Sequence, residues 1–413
     1  MALPPNAPRL SGTITRPACD PALWSLDPDF CFLNHGSFGS CPTRVLAFQQ
    51  GIRERMEREP IKFFVRDLEA LLDEARAELA RFLGADWQDL VFVPNATAGV
   101  NTVLRSLDFK RADQLLVTNH EYNACRNALD FIAARTGARV VVASVPFPLA
   151  AEEEMVEAIL ERVTRRTRLA LLDHVTSQTG LIFPLQRLVR ELEGRGVETL
   201  VDGAHAPGMI PLNLGEIGAC YYTGNCHKWI CAPKGAGFLC VRRDRHERIR
   251  PLSISHGANS PRSDRSRLQI EFAWTGTWDA SAYLSVPEAL RFMDRRVRGG
   301  WAQIMKRNRE LALVGRRKLC EVLHIESPCP DELIGSLASV PIPDAERDQP
   351  PLSPLYADPL QELLRTKHRI EVPIIPWPKP PKRLLRISAH LYNSVPQYEL
   401  LANALEKHLR DRR

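Results

Sequence analysis

Apolar residues recur at helical spacing over residues 43–59, where Val45, Phe48 and Ile52 share a face, and over 62–83, where Leu68, Leu71, Leu72, Leu79 and Phe82 do the same; Pro60 separates the two runs. The spacing predicts two amphipathic helices. From Leu90 to Leu239 the pattern changes to short apolar runs alternating with helical segments: LVFV, QLLVT, RVVVASV, RLALLDHV, VETLVDG, CYYTG and GFLCV. That alternation specifies an α/β fold with a mostly parallel sheet. After Thr277 long helices are expected at 279–297 and 301–323, then a strand near Ser336–Val340, a helix near 358–368, the strand LLRIS and a final helix over 396–410. This part reads as a smaller α+β domain, and no internal repeat interrupts either half.

Composition narrows the class. A chain of 413 residues with 44% hydrophobic and 25% charged residues is an ordinary globular protein, not a disordered, collagenous or coiled-coil one. With 55 basic against 49 acidic residues the net charge is only +6, and no Lys/Arg run is interleaved with aromatics, so no nucleic-acid partner is expected. The opening MALPPNAPRLSGTITRPACD lacks the pattern of a signal peptide, and no stretch is apolar enough to span a membrane, so a soluble, cytoplasmic protein is expected. Ten irregularly spaced cysteines suggest reduced thiols. Many of the 32 prolines fall in 341–381, where PIPDAERDQPPLSPLYADP and VPIIPWPKPPK should be ordered surface loops.

In open α/β sheets ligands bind beyond the carboxyl ends of the strands, which makes the residues after each apolar run the candidates for chemistry. VFVPNATAGVNTVLRSL places Asn95, Ala96 and Thr97 between a strand and a helix starting near Thr97, where free N–H groups and the helix dipole suit a phosphate. A simple helix cap would also explain those residues. No GxGxxG follows a strand, which argues against a dinucleotide. TLVDGAHAPG ends a strand on Asp202, with His205 close behind; an acid there can hold a cationic ring nitrogen, or merely form an Asx turn. In YYTGNCHKWICAPKGAGFL, Lys228 follows a strand in apolar surroundings, where a desolvated amine becomes an imine-forming nucleophile. A snorkelling surface lysine is the plain alternative. The three features in this order along one sheet outweigh the plain reading of each. Cys220, Cys226, His227, Cys231 and Cys240 crowd into the same region, but their separations are not those of structural zinc sites, and strand alternation would scatter them, so no metal is expected.

The chain resembles the class V aminotransferases, pyridoxal 5'-phosphate (PLP) enzymes of fold type I, and within them the isopenicillin N epimerase-like branch. The resemblance runs through FLNHGSFGSCP, NATAGVN, NHEYNA, VTSQTG, VDGAHAPG, GNCHKWICAPKGAGFL, WTGTWDAS and LLRISAHLYN, in the family's order. It implies a large PLP-binding domain over 34–278 with a seven-stranded sheet, a small domain over 279–413 and an N-terminal arm over 1–33 joining the small domain. It implies that Lys228 carries the cofactor, that Asp202 pairs with the ring nitrogen and that Tyr122, rather than His120, stacks on the ring. Asn95, Ala96, Thr97, Asn225 and His227 would hold the phosphate, with Ser177 or Gln178 and His205 near the phenolic oxygen. Gly276 and Thr277 would reach the phosphate of a partner subunit, which implies a homodimer with shared sites. Arg386 would grip a substrate carboxylate, with Asn34 and His35 lining the pocket; Arg383, an odd three residues away, should face the other side of the strand.

The sequence departs from the cysteine desulfurases of this family, because no cysteine follows Cys329 where a nucleophilic loop thiol would stand. The expected activity is therefore epimerisation at the α-carbon of an amino acid. A C–S lyase working by β-elimination, a transaminase, or a PLP-binding protein without activity are the alternatives.

Overall fold

The computed structural model describes residues 14–346 and 358–409. Seven strands form one sheet: β1 (Leu90–Val93), β2 (Gln114–Thr118), β3 (Arg139–Ala143), β4 (Thr167–Asp173), β5 (Glu198–Gly203), β6 (Tyr221–Asn225) and β7 (Gly237–Val241), in the order β1-β7-β6-β5-β4-β2-β3. Only β7 runs against its neighbours, so the carboxyl ends of the other six strands open on one edge. Each expected apolar run supplies one of these strands. Alternate residues divide between the faces: Leu115, Leu169, Leu171, Leu200 and Leu239 enter one core, and Leu116, Ala170, Leu172, Val201 and Phe238 the other.

Helices cover both faces. The expected pair at the start is found as α1 (Thr43–Arg58) and α2 (Leu68–Leu83), with Phe63–Asp67 wound as a π-helical turn ahead of α2. α3 (Ala96–Ser106) and α4 (Asn123–Thr136) lie over the core built on Leu115 and Leu171. The helix expected over 279–297 is broken into Ser281–Leu284 and Val286–Asp294, because Pro287 cannot donate to the preceding turn and its ring crowds the carbonyl four residues back.

A second sheet of three antiparallel strands, β8 (Leu337–Ile342), β9 (Ile374–Pro376) and β10 (Arg383–Ser388), is backed by α5 (Gly300–Leu323) and α6 (Val395–Leu409). β9 corrects the reading of VPIIPWPKPPK as surface loop: Ile374 and Ile375 are buried, and Pro376 is tolerated because β9 is an edge strand. The middle of the other proline-rich stretch, 347–357, lies outside the described residues, as do residues 1–13 of the expected arm. The rest of that arm joins the chain's far end: Cys31–Phe32 pair with Ile370–Glu371, and Ala18 N–H donates to Leu391 O at 2.8 Å. Trp24, 1% exposed, packs edge-on to His390 and Tyr392. Among the described residues no helix is long and apolar enough to cross a membrane.

Gly99 sets how closely α3 approaches the sheet, since a Cβ there would stand 2.0 Å from Thr223 Oγ1, which donates to Phe238 O. Gly99→Ala gains about 1 kcal/mol in helix propensity but costs about 1–3 kcal/mol in overpacking, besides disturbing that hydrogen bond. The urea midpoint should fall by the equivalent of about 1–2 kcal/mol. An unchanged or higher midpoint would mean that α3 does not depend on this contact.

Candidate active site

The candidate residues gather where β1, β2, β4, β5 and β6 end. Asn95 caps α3 with its Oδ1, which accepts from Ala98 N at 2.9 Å, while Ala96 N donates to Asn225 Oδ1 at 2.8 Å. Asn225 thus ties β6 to the start of α3. Thr97 follows at the second helical position, whose N–H has no intrahelical acceptor. A Cβ on Gly237 would stand 2.8 Å from Asn95 Cα, so the glycine lets β7 press against this turn. His227 lies half-buried beside it; its Nδ1 is 3.2 Å from Ala236 O, and because a carbonyl only accepts, Nδ1 carries the proton. Burial lowers its pKa to about 4, so the ring is neutral and its other nitrogen is an acceptor.

Lys228 is a half-buried residue whose amine meets His205 Nε2 at 2.9 Å. Desolvation, reinforced by the positive charge of Arg386, lowers the amine to about 7, whereas an ordinary lysine titrates near 10. Burial first, then Lys228 itself, holds His205 well below its usual range. While Lys228 is protonated its amine donates to the neutral imidazole, which places the ring proton on His205 Nδ1, a buried atom with no hydrogen-bond partner among the described residues. On the neighbouring strand Asp202 is buried; its Oδ1 accepts from Ala204 N at 2.9 Å and its Oδ2 from the Cys125 thiol at 3.0 Å.

Arg386 reaches this edge from β10. Its Nη1 donates to Ser177 O at 2.5 Å and its Nη2 to Ser37 Oγ at 2.8 Å; Ser37 in turn donates to Asn34 Oδ1 at 2.5 Å. Arg383 faces away, its Nη1 2.8 and 2.9 Å from the two oxygens of Asp358. Gln178 Nε2 donates to Glu121 O at 3.4 Å, next to Tyr122, which is exposed at the start of α4. His120 is buried with both ring nitrogens bonded, to Thr179 Oγ1 and Val145 O.

Two expected placements change, those of His35 and Asn34. His35 does not line the pocket: it is wholly buried, with Nε2 3.0 Å from Lys228 O and Nδ1 2.7 Å from the Tyr392 hydroxyl, so it supports the lysine's backbone from behind. Asn34 is linked to Arg386 through Ser37. Gly276 and Thr277 sit on an open turn and make no hydrogen bond to this chain's own α3 turn among the described residues, in keeping with a turn expected to serve a partner subunit's phosphate. Of the crowded cysteines, Cys231 meets His390 Nε2 at 3.4 Å and His35 Nε2 at 3.9 Å. Those two rings are stacked at 19°, so their in-plane lone pairs run side by side, and His35 Nε2 is already engaged with Lys228 O. Glu121, Asp173, Cys125, Ser37 and Gly39 are neighbours that sequence reasoning missed. Asp173 had the signal that found Asp202, a carboxylate at a strand end.

This arrangement offers an outward-facing helix end for a phosphate, a buried carboxylate for a ring nitrogen, an amine lowered toward neutrality and an orphan imidazole N–H that a ligand oxygen would satisfy. PLP carries the four complementary groups, and the site fits it. The comparisons with known proteins agree. The family model for aminotransferase class V matches residues 58–349. An isopenicillin N epimerase of Amycolatopsis lactamdurans is 34% identical over 397 residues, covering 93% of this chain and 96% of its own length. A probable chloroplastic L-cysteine desulfhydrase of Arabidopsis thaliana is 32% identical over 411 residues, covering 93% and 84%. The solved complex of the cystine C–S lyase C-DES with cysteine persulfide superposes with a TM-score of 0.78 at 22% identity, covering 92% of this chain and 98% of that one, a likeness of fold. The chain belongs to the class V aminotransferase family and is a PLP-dependent enzyme of fold type I.

Proposed function

We propose that this enzyme removes the α-proton of an amino acid and returns it on the opposite face, an epimerisation. The observation that carries the reading is the convergence of Lys228, Asp202 and Arg386 on one edge of the sheet from separate strands. When bound, PLP withdraws the electrons left at the substrate's α-carbon. Asp202 keeps its ring nitrogen cationic, and the start of α3 holds its phosphate. Arg386 pairs with the substrate carboxylate, and the Lys228 amine, titrating near 7, is matched to proton transfer at neutral pH. Tyr122, exposed beside the site, stacks on the ring. The isopenicillin N epimerase relative supports epimerisation as the outcome. The desulfhydrase relative, at similar identity, supports β-elimination as the second reading, which needs a single base.

We further propose division into a cofactor domain over 34–278 and a smaller one over 279–413, and a homodimer. Exposed Phe38, Ile61 and Val65 support the dimer, as does the open turn of Gly276 and Thr277. Ten unpaired thiols favour a reducing compartment, the cytoplasm.

Purified enzyme assayed on a panel of amino acids should exchange the α-hydrogen with solvent deuterium and lose optical activity without releasing pyruvate, sulfide or a keto acid. Pyruvate and sulfide from cysteine would replace the epimerase reading with the lyase, and a keto acid with the transaminase.

Capture of PLP by cofactor-free enzyme should accelerate as pH rises through about 7, where Lys228 loses its proton. Borohydride reduction and peptide mapping should then find the pyridoxyl group on Lys228. An inflection near 10, or label on Lys234, would displace it.

Arg386→Ala should remove about 2–4 kcal/mol of charge-assisted binding, lowering kcat/KM roughly 30- to 900-fold for amino acids. Arg383→Ala should lower stability through its lost Asp358 pair while leaving kcat/KM nearly intact. The reverse pattern would overturn the carboxylate assignment.

Sedimentation at assay concentrations should give a dimer. An active monomer, or full PLP affinity in a variant that cannot associate, would refute shared sites.

A further inference from the structure

Three acids meet behind the site. β4 and β5 are in register with Asp173 opposite Asp202, so both side chains leave the same face of the sheet. Glu121 enters from the turn before α4. Its carboxylate, the Cys125 sulfur and the Asp202 carboxylate lie within 4.8 Å of one another, and its carboxyl group faces that of Asp173, close enough for the two to raise and lower each other's pKa. Asp202 has two donors of its own, Ala204 N–H and the Cys125 thiol. The pair is less well provided: both oxygens of Glu121 and Oδ2 of Asp173 are buried with no side-chain donor among the described residues, and the amides that face the two carboxyls are the backbone N–H groups of Tyr122 and of Asp173 itself. A hydrogen bond between two carboxyl groups requires a proton on one of them, and two bare carboxylates here would repel each other with no solvent to screen them.

We propose that Glu121 keeps a proton at neutral pH and donates it to Asp173, the pair acting as a positioning device that backs Asp202 and leaves Asp202 the carboxylate held for the ring nitrogen. The role of Asp202 rests on the function proposed above, but the state of the pair does not. Burial and the charges of Asp173 and Asp202 raise Glu121, and its bond to Asp173 favours the form in which Glu121 is the donor. Asp173 is raised by burial and Asp202, and lowered by its own backbone N–H, then by its contact with Glu121 and by facing Lys228. Cys125 on α4 is raised as well, chiefly by burial, and stays a thiol. Because the folded state binds a proton that the unfolded carboxyl releases near pH 4, the pair's contribution to stability is fully present below that pH and is lost as pH rises toward the folded value.

The test uses the full chain with and without PLP. Without PLP, infrared spectra at pH 7 should contain a protonated-carboxyl C=O band that disappears in both Glu121→Gln and Asp173→Asn. The wild-type melting temperature should fall more steeply with rising pH than that of Glu121→Gln, whose amide donates to Asp173 without a proton to lose. A wild-type spectrum without the band, a band surviving in both variants, or equal pH slopes would overturn the pair, and the first holds even if a variant fails to fold. With PLP, Glu121→Ala should weaken cofactor binding about tenfold or more, while Glu121→Gln restores it to within about twofold. Equal losses in the two would assign Glu121 to packing, and undiminished affinity in Glu121→Ala would separate the pair from Asp202. Failure of PLP to label Lys228 would instead strike the functional reading and leave the infrared result standing.

Discussion

A lysine amine kept out of water is the constraint around which the rest of this structure is arranged. An ammonium without solvent or a carboxylate in contact loses stability, and the chain answers by letting the amine approach neutrality instead of pairing it. Its neighbour is an imidazole that burial has already discharged, and the nearby Arg386 pushes in the same direction. Asp202 sits one strand away, engaged by a backbone N–H and a thiol. Separating the acid from the amine in this way allows each to serve a different end of one ligand.

That separation depends on the sheet. In-register parallel strands place Asp173 and Asp202 side by side and carry Lys228 just beyond the next strand's end, so the spacing is inherited from strand geometry rather than from flexible loops. The backbone of Lys228 is held from the other side by His35, and by Gly39, where φ is +70° and a Cβ would stand 2.0 Å from His227 O. A side chain at that glycine would be strained in its own backbone and would collide with the residue preceding the lysine.

Most of the framework was legible because its signals are local. Strand runs, helix periods and the residues at strand ends are all read within a dozen positions, and Lys228, Asp202 and the turn at Asn95 belong to that class. The odd spacing of Arg383 and Arg386 separated their faces correctly, since alternation along a strand is a local rule. What could not be read was depth. LNHGS locates His35 in the chain, yet nothing in those five letters says that Tyr392 and a lysine carbonyl will enclose its ring. Likewise NHEYNA displays Tyr122 and hides Glu121, because burial of a carboxyl depends on a second acid that β4 brings from some fifty residues away. The edge strand in VPIIPWPKPPK was missed for a related reason: proline disfavours a strand only where its missing N–H is needed, and a sheet edge does not need it.

The clasp around Lys228 also bears on how the enzyme comes into being. The seven-stranded sheet is complete in the chain by Val241, whereas the guanidinium beside the site arrives with Arg386 and the tyrosine that braces His35 with Tyr392. A nascent chain emerging amino end first therefore carries its lysine, strand-end acid and helix turn long before Arg386 joins them or its own amino-terminal segment is locked. Closing such a distant loop is entropically costly and comes late. The strand-end groups and the guanidinium are thus separated in biosynthetic time, and translation that stops short of the last strand leaves a chain that has the first without the second.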